Sequence, residues 1–354
     1  MKKIALICNY KLLPERVGGM DYFFWEFDKK CKENNIAVDW FFPNISTHGN
    51  YKNMIIFYPN EQSLENYFLK HCISKNYTHI ITHFVEICTP FFKKIKEKTQ
   101  AKVIAINHNA RAIGGYTIKK KINKKIKGFL YSKYIDVFVG VSQQSVNDLV
   151  IDFGNQILKK SIIIHNGINF EKFEKKDVNI PFQNKFIIVS HLAYGKGILE
   201  LIETVHTLTK KGIIHFEIAL YGEGILFSEI SYKIAEYQLD TIIKLKGNVS
   251  NIYTIYKNYD YLIHPSQAET FGFAIIESLY CKVPVLVSKQ ANVLHAVEEN
   301  KNGYLFDIQI NNSLELLLED IILQKRKLKY ESKNFNVSKF SLTEMVENHY
   351  KLLI

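Results

Sequence analysis

Short apolar, β-branched runs alternate with helix-patterned stretches along this chain, and the series occurs twice. Runs at 3–10, 37–42, 78–82, 103–107, 137–141 and 161–165 are separated for the most part by segments with helical spacing. Strands that alternate with helices predict a parallel sheet covered on both faces. The stretch 171–185 is polar and contains Pro181, so it reads as a linker. Beyond it the pattern restarts, with runs at 186–190, 216–221, 242–246, 261–264 and 283–287. At 354 residues the chain is long enough for two domains of this kind. Two doubly wound sheets are expected to hold a ligand in the cleft between them. The tail from 341 to 353 has helical patterning.

Composition narrows the class. A hydrophobic content of 47% with 23% charged residues predicts a soluble globular protein. No apolar run approaches the ~18–20 residues of a membrane span. The apolar core at 4–8 is too short for a signal peptide and reads as a first strand. Five scattered cysteines (Cys8, Cys31, Cys72, Cys88, Cys281) form no C-x-x-C pair, which predicts reduced thiols in the cytoplasm rather than disulfides or a zinc site. His79, His83 and Glu86 invite a metal reading, but residues four apart on a strand stand ~13 Å from each other, too far to share an ion.

The formal charge of +11 attracts anions: nucleic acid, an acidic membrane surface or phosphorylated ligands. No nucleic-acid-binding signature accompanies it, so nucleic acid is not expected as a partner. The strongest basic run is 117–131, where Ile118, Ile122, Ile126 and Phe129 recur at helical spacing among Lys119, Lys120, Lys121, Lys124, Lys125 and Lys127. Two readings stay open. The helix lies on an anionic membrane or clamps a lipid diphosphate, or its apolar edge packs on its own sheet and its lysines face water.

The stretch from His264 to Pro284 carries the most chemistry. Tyr261 to His264 reads as a buried strand, Pro265 and Ser266 open a loop, and helical spacing resumes at Phe271. Glu269 then lies on a strand-to-helix loop and Glu277 about two turns into the helix. The helix start leaves backbone N–H groups, expected at Phe271 and Gly272, that favour an anion. Such a set suits a phosphorylated ligand with hydroxyl groups.

The block Pro265-Ser-Gln-Ala-Glu269-Thr-Phe-Gly272, followed by Glu277 and then Val283-Pro-Val-Leu-Val, resembles the E-x7-E signature of retaining GT-B glycosyltransferases, specifically glycosyltransferase family 4. The resemblance implies two Rossmann-like domains. The first is an acceptor-binding domain at 1–172 completed by a C-terminal helix at 341–354, and the second is a nucleotide-sugar donor domain at 184–340. It also implies that Glu269 contacts the transferred sugar at the reacting centre and that Glu277 holds the ribose. Val189-Ser-His191-Leu-Ala-Tyr-Gly-Lys196-Gly resembles the family's phosphate-binding Gly-Arg-Leu segment; Lys196 matches, while His191 takes the place of Arg and Ser190 that of Gly. Tyr221-Gly-Glu-Gly224 resembles a turn of the donor domain, and Lys246-Gly-Asn248-Val249 a segment bordering the base. Gly18 and Gly19 match a loop that approaches the donor diphosphate, with a plain turn as the other reading. His108 matches a histidine that reaches the donor sugar, with a structural loop histidine as the other. His165-Asn-Gly-Ile resembles a shaped turn that ends the first domain.

The implied reaction moves a sugar from a nucleotide-diphosphate donor, a UDP-sugar in preference to a GDP-sugar, to a glycan or lipid-linked acceptor with retention and without a metal. The implied setting is bacterial surface glycan synthesis, of lipopolysaccharide or capsule, in the cytoplasm or peripheral on the inner face of its membrane. Two alternatives stay open: a GT-B sugar-nucleotide epimerase, or a phosphorylase-like enzyme; and a non-catalytic GT-B binding module. His191, and Lys282 where the family usually has Gly, keep the last alive.

Overall fold

All eleven apolar runs form strands, and among the described residues every strand pairing is parallel. The computed structural model describes residues 2–71, 74–109, 111, 114–177, 179–291, 293, 296–328 and 336–354, with Arg16 described by its backbone alone. Two compact units emerge: Met1–Asn169 with Ser338–Ile354, and Phe170–Val337.

The first unit runs β1 (Lys2–Cys8), α1 (Gly19–Glu33), β2 (Ile36–Phe41), β3 (Ile55–Phe57), α2 (Leu64–His71), β4 (His79–His83), α3 (Pro90–Lys98), β5 (Lys102–Asn107), α4 (Ile118–Tyr131), β6 (Val137–Gly140), α5 (Gln143–Phe153) and β7 (Ser161–Ile163). Its sheet has the order β3-β2-β1-β4-β5-β6-β7. The second unit runs β8 (Lys185–Val189), α6 (Ile198–Lys210), β9 (Glu217–Tyr221), α7 (Phe227–Glu236), β10 (Ile243–Gly247), α8 (Ile252–Ile255), β11 (Tyr261–His264), α9 (Phe273–Tyr280), β12 (Val285–Ser288), β13 (Gly303–Phe306) and α10 (Ser313–Ile322), in the order β10-β9-β8-β11-β12-β13. The last helix, α11 (Leu342–Lys351), belongs to the first unit and packs on α1.

Burial on both faces explains why the strands read as unbroken apolar runs. In β1, Ile4, Leu6 and Cys8 join the core beneath α1 and α11, whereas Ala5 and Ile7 join the core on the opposite face. In each sheet the strand order reverses beside the first strand of its unit, between β1 and β4 and between β8 and β11. Ligands of open parallel sheets bind at the carboxyl ends of the strands at such points.

The structure adds to several expectations. The described residues of the stretch 171–185, expected as a linker, are tied to the second unit. The Lys176 amide donates to the Cys281 carbonyl, and Phe170 stacks on Tyr280 at 4.2 Å. Strands β3 and β13 add to the expected set; three- and four-residue edge strands carry little periodicity to reveal them. Gly18 caps α1, and the buried Asp21 carboxylate reaches back to accept from the Gly18 amide at 2.9 Å. Cys8, Cys31, Cys88 and Cys281 are buried free thiols, and Cys72 lies outside the described residues. Among the described residues no helix is long and apolar enough to cross a membrane.

Asp260 holds the stretch 171–185. It is 5% exposed and accepts from the Gln183 amide at 2.9 Å, the Lys185 amide at 3.0 Å and Lys176 Nζ at 2.6 Å. Removing one partner of a buried ion pair leaves an uncompensated charge. Asp260→Ala is therefore expected to destabilise the second unit by roughly 3 kcal/mol or more, read as a lower midpoint in urea unfolding; a midpoint within error of wild type would contradict this role.

Candidate functional site

The carboxyl ends of β8 and β11 open into a cavity of about 750 Å³ within the second unit. The loop after β8 leads to α6 and the loop after β11 leads to α9. His191, Lys196, Asn248, Val249, Glu269, Gly272 and Glu277 all line this space. It also takes in Tyr221, Gly222, Glu223 and Gly224, together with His264 and the start of α9.

Glycines set the loop paths. Gly197 caps α6 with φ of 72°, and a Cβ there would overlap the Pro265 carbonyl oxygen, so the β8 loop lies directly against the β11 loop. Gly222 has φ of 132°, and a Cβ would overlap the Ser190 carbonyl oxygen. The Gln267 amide donates to the Gly195 carbonyl at 2.8 Å, tying the same two loops.

Glu269 is the electrostatic centre. Its Oε1 stands 2.6 Å from Lys196 Nζ and 3.2 Å from His264 Nε2. Burial pushes the carboxyl up, but His264 and Lys196 outweigh it and hold Glu269 at about 2. Glu277, in the second turn of α9, accepts from the Tyr256 hydroxyl at 2.7 Å. Burial raises its carboxyl above the usual range, against the lowering effect of that hydrogen bond. Two acids on one cavity thus differ: one is held as an anion by Lys196 and His264, the other is held by a neutral phenol. Sequence reasoning misses His264 and Tyr256. Neither lies at a diagnostic spacing, and only the fold brings them to the two acids.

The helix start shifts from its expected place. Gly272, at φ of 79°, is the cap of α9, and Ile275 is the first residue to donate within it. The first-turn amides are therefore those of Phe273 and Ala274, not Phe271 and Gly272. Phe271 is buried, its ring edge-on to Phe273 at 4.9 Å. Lys282 occupies the left-handed region, at φ of 60°, just after α9. A backbone that favours glycine is met here by a lysine.

Gly18, Gly19, His108 and the lysines of α4 belong to the first unit. Gly18 and Gly19 start α1, fixed by Asp21, which also accepts from the Tyr10 hydroxyl at 3.0 Å and the Tyr51 hydroxyl at 2.7 Å. His108 follows β5. Its Nε2 lies 3.0 Å from His83 Nδ1, and its ring stacks on Phe84 at 4.4 Å. Burial, then the neighbouring His349, push His108 down to about 3; burial likewise pushes His349 to about 4. His108 is thus a neutral hydrogen-bonding group at neutral pH. Among the described residues no group of three or more His, Cys, Asp or Glu side chains is arranged to hold a metal ion.

Comparison with known proteins bears on this geometry. Residues 169–335 match the family described as glycosyl transferases group 1. An uncharacterized glycosyltransferase of Methanocaldococcus jannaschii is 25% identical over 207 residues, 57% of this chain and 55% of that protein. A poly(ribitol-phosphate) alpha-N-acetylglucosaminyltransferase of Staphylococcus aureus is 29% identical over 143 residues, 39% of this chain and 29% of that protein. The chain therefore spans about half or less of these curated relatives. Among solved structures, Anabaena HepE in complex with UDP matches with a TM-score of 0.78 and 15% identity over 100% of this chain and 99% of that one. The UDP is a property of HepE; the likeness carries the fold. The switch-point cavity and the parallel sheets thus lie in a chain whose fold matches GT-B proteins such as HepE, and whose residues 169–335 are similar to the glycosyl transferases group 1 family.

Proposed function

We propose that this protein is a retaining, family 4-type glycosyltransferase that takes a nucleotide-diphosphate sugar as donor, a UDP-sugar in preference to a GDP-sugar. The observation that carries the reading is the Lys196–Glu269 pair, 2.6 Å apart, sharing one cavity with Glu277 and the first turn of α9. In the free protein Lys196 is engaged by Glu269. An arriving diphosphate competes for that ammonium, and the Phe273 and Ala274 amides add donors for its oxygens. Transfer of Lys196 from carboxylate to phosphate frees a Glu269 oxygen for the sugar hydroxyls, while His264 keeps the carboxylate anionic. Glu277, oriented by Tyr256, takes the ribose hydroxyls. Charge that develops on the departing diphosphate is met by groups already in position, and stabilisation of that charge is where such an enzyme lowers its barrier most.

The acceptor is a glycan or lipid-linked glycan, bound by the first unit near His108 and the Gly18–Gly19 turn. A surface polymer of bacteria, such as lipopolysaccharide or capsule, fits the setting, at the inner face of the cytoplasmic membrane. The S. aureus relative named for poly(ribitol-phosphate) supports that class.

UDP is expected to raise the melting temperature, since a ligand that binds only the folded form stabilises it by ~2.7 kcal/mol at a hundredfold excess over Kd. Lys196→Ala should weaken UDP about tenfold to a hundredfold. Nucleoside diphosphates that give no shift at millimolar concentration would remove the donor assignment. Release of nucleoside diphosphate that requires no acceptor would instead favour epimerisation.

Glu269→Gln should abolish transfer while UDP still binds. The same variant reports on pH. A carboxyl held at about 2, against an ordinary 4.5, stabilises the fold fully above pH 4.5, and that contribution fades as pH falls toward 2. Wild type should thus exceed Glu269→Gln by on the order of 3 kcal/mol at pH 7, with the gap closing in acid; a constant gap from pH 7 to pH 3 in denaturant titrations would refute the ion-pair origin.

A further inference from the structure

Helix α4 is mounted with its apolar side outward. Ile118, Ile122, Ile126 and Phe129 are 76%, 55%, 51% and 79% exposed, and Leu130 beside them is 45% exposed. The positions i, i+4, i+8 and i+11 form one ridge along the helix. The reading in which this edge packs on the protein's own sheet is thereby overturned. The opposite side faces the protein and is polar. Lys124 Nζ lies 2.8 Å from the Asp152 carboxylate, which also holds Arg111 at 3.0 Å, and Lys127 Nζ lies 2.6 Å from Glu86. Lys120 and Lys124 sit over the Tyr116 ring, at 4.3 and 4.7 Å from its centroid. Gly128 is the one buried residue of α4; a Cβ there would overlap the Phe153 carbonyl oxygen, so the helix lies close against the end of α5.

An ordinary surface helix turns its apolar stripe to the core and its lysines to water. Here ion pairs to Asp152 and Glu86 fix the reverse. Lys119, Lys121 and Lys125 remain exposed around the ridge, and the helix contains no acidic residue. Charge therefore selects the occupant: a negatively charged, apolar-cored surface accepts both the ridge and its cationic flanks. Fourteen residues make a rod of about 21 Å, long enough to lie in an interface and too short and too charged to cross it.

We infer that α4 is an in-plane membrane anchor, in which Ile118, Ile122, Ile126 and Phe129 enter the headgroup–acyl boundary of an anionic bilayer while Lys119, Lys121 and Lys125 meet lipid phosphates. The inference goes beyond the transferase reading and does not need it. The full chain is tested by co-sedimentation with phosphatidylcholine vesicles with and without phosphatidylglycerol. Wild type should bind the mixed vesicles and bind pure phosphatidylcholine far less. Ile122→Ser with Phe129→Ser should lose about tenfold per side chain, and Lys119→Gln with Lys121→Gln about fivefold per lysine. These side chains face water, so the variants should keep the wild-type melting temperature. Phe129→Trp, which leaves the ridge apolar, should show a blue shift in emission when mixed vesicles are added. Failure of folded wild type to bind mixed vesicles overturns the proposal. So does undiminished binding by the double serine variant, which would leave attraction by charge alone. A wild-type dimer in sedimentation that the serine variant abolishes, without vesicle binding, would make a second copy the occupant and overturn it too. No arm uses donor or acceptor, so the outcome stands apart from the fate of the assigned reaction.

Discussion

The ion pair between Lys196 and Glu269 joins the two loops on which the second unit's cavity depends. These loops leave the adjacent strands β8 and β11, where the strand order reverses, and lie against each other at Gly197 and Pro265. The cavity lies at that point, and the pair sets its electrostatics. A buried carboxylate alone would be pushed up toward neutrality. With Lys196 and His264 beside it, Glu269 remains an anion throughout the physiological range. The pair also keeps the lysine on the cavity wall rather than extended into water. On the proposed reading, an anionic ligand meets a pre-positioned ammonium but has to displace a carboxylate to use it, which disfavours anions that bring no second group to satisfy Glu269.

Backbone proximity supports this arrangement as much as charge does. Gly197, Gly222 and Gly224 each stand where a Cβ would overlap a carbonyl oxygen of a neighbouring loop. The Gly-x-Gly turn after β9 and the loop after β8 therefore form one surface, with the Leu192 amide donating to the Glu223 carbonyl at 2.9 Å. Side chains cannot be added at these glycines without pushing Ser190, Leu192 or Pro265 away. The cavity floor is accordingly fixed by sequence at positions that carry no functional group.

Part of this is legible in the sequence because it is local: buried parallel strands announce themselves as apolar runs, and one strand–loop–helix unit carries His191 and Lys196 while another carries Glu269 and Glu277. That the two units meet, with Lys196 paired to Glu269 across 73 residues, follows in the sequence only from the family resemblance. What stays hidden is long-range. Tyr256 meets Glu277 across 21 residues, and Asp21 is tied to Tyr51 across 30. The anchoring of the stretch 171–185 is hidden too, because its partner, Asp260, lies far along the chain. Helix α9 begins two residues later than its spacing suggests, since the left-handed Gly272 delays the first helical bond. The helical spacing of α4 reveals a stripe but not its direction; that is decided by Asp152 and Glu86, which lie on other elements.

The orientation of α4 also bears on how the charge of this protein is used. The cavity of the second unit lines up Lys196, His191 and His264 against Glu223, Glu269 and Glu277. It has no marked cationic excess, so the net charge of +11 is carried mostly by other parts of the chain. On α4 six lysines share fourteen residues with no acid; two of the six, Lys124 and Lys127, are consumed in holding the helix, and the others lie free of those ion pairs. Long-range attraction to an anionic surface is thereby separated from short-range recognition of a ligand. The two can vary independently: salt screens the first over about 10 Å at 0.1 M, but screens a partly buried contact pair such as Lys196–Glu269 less.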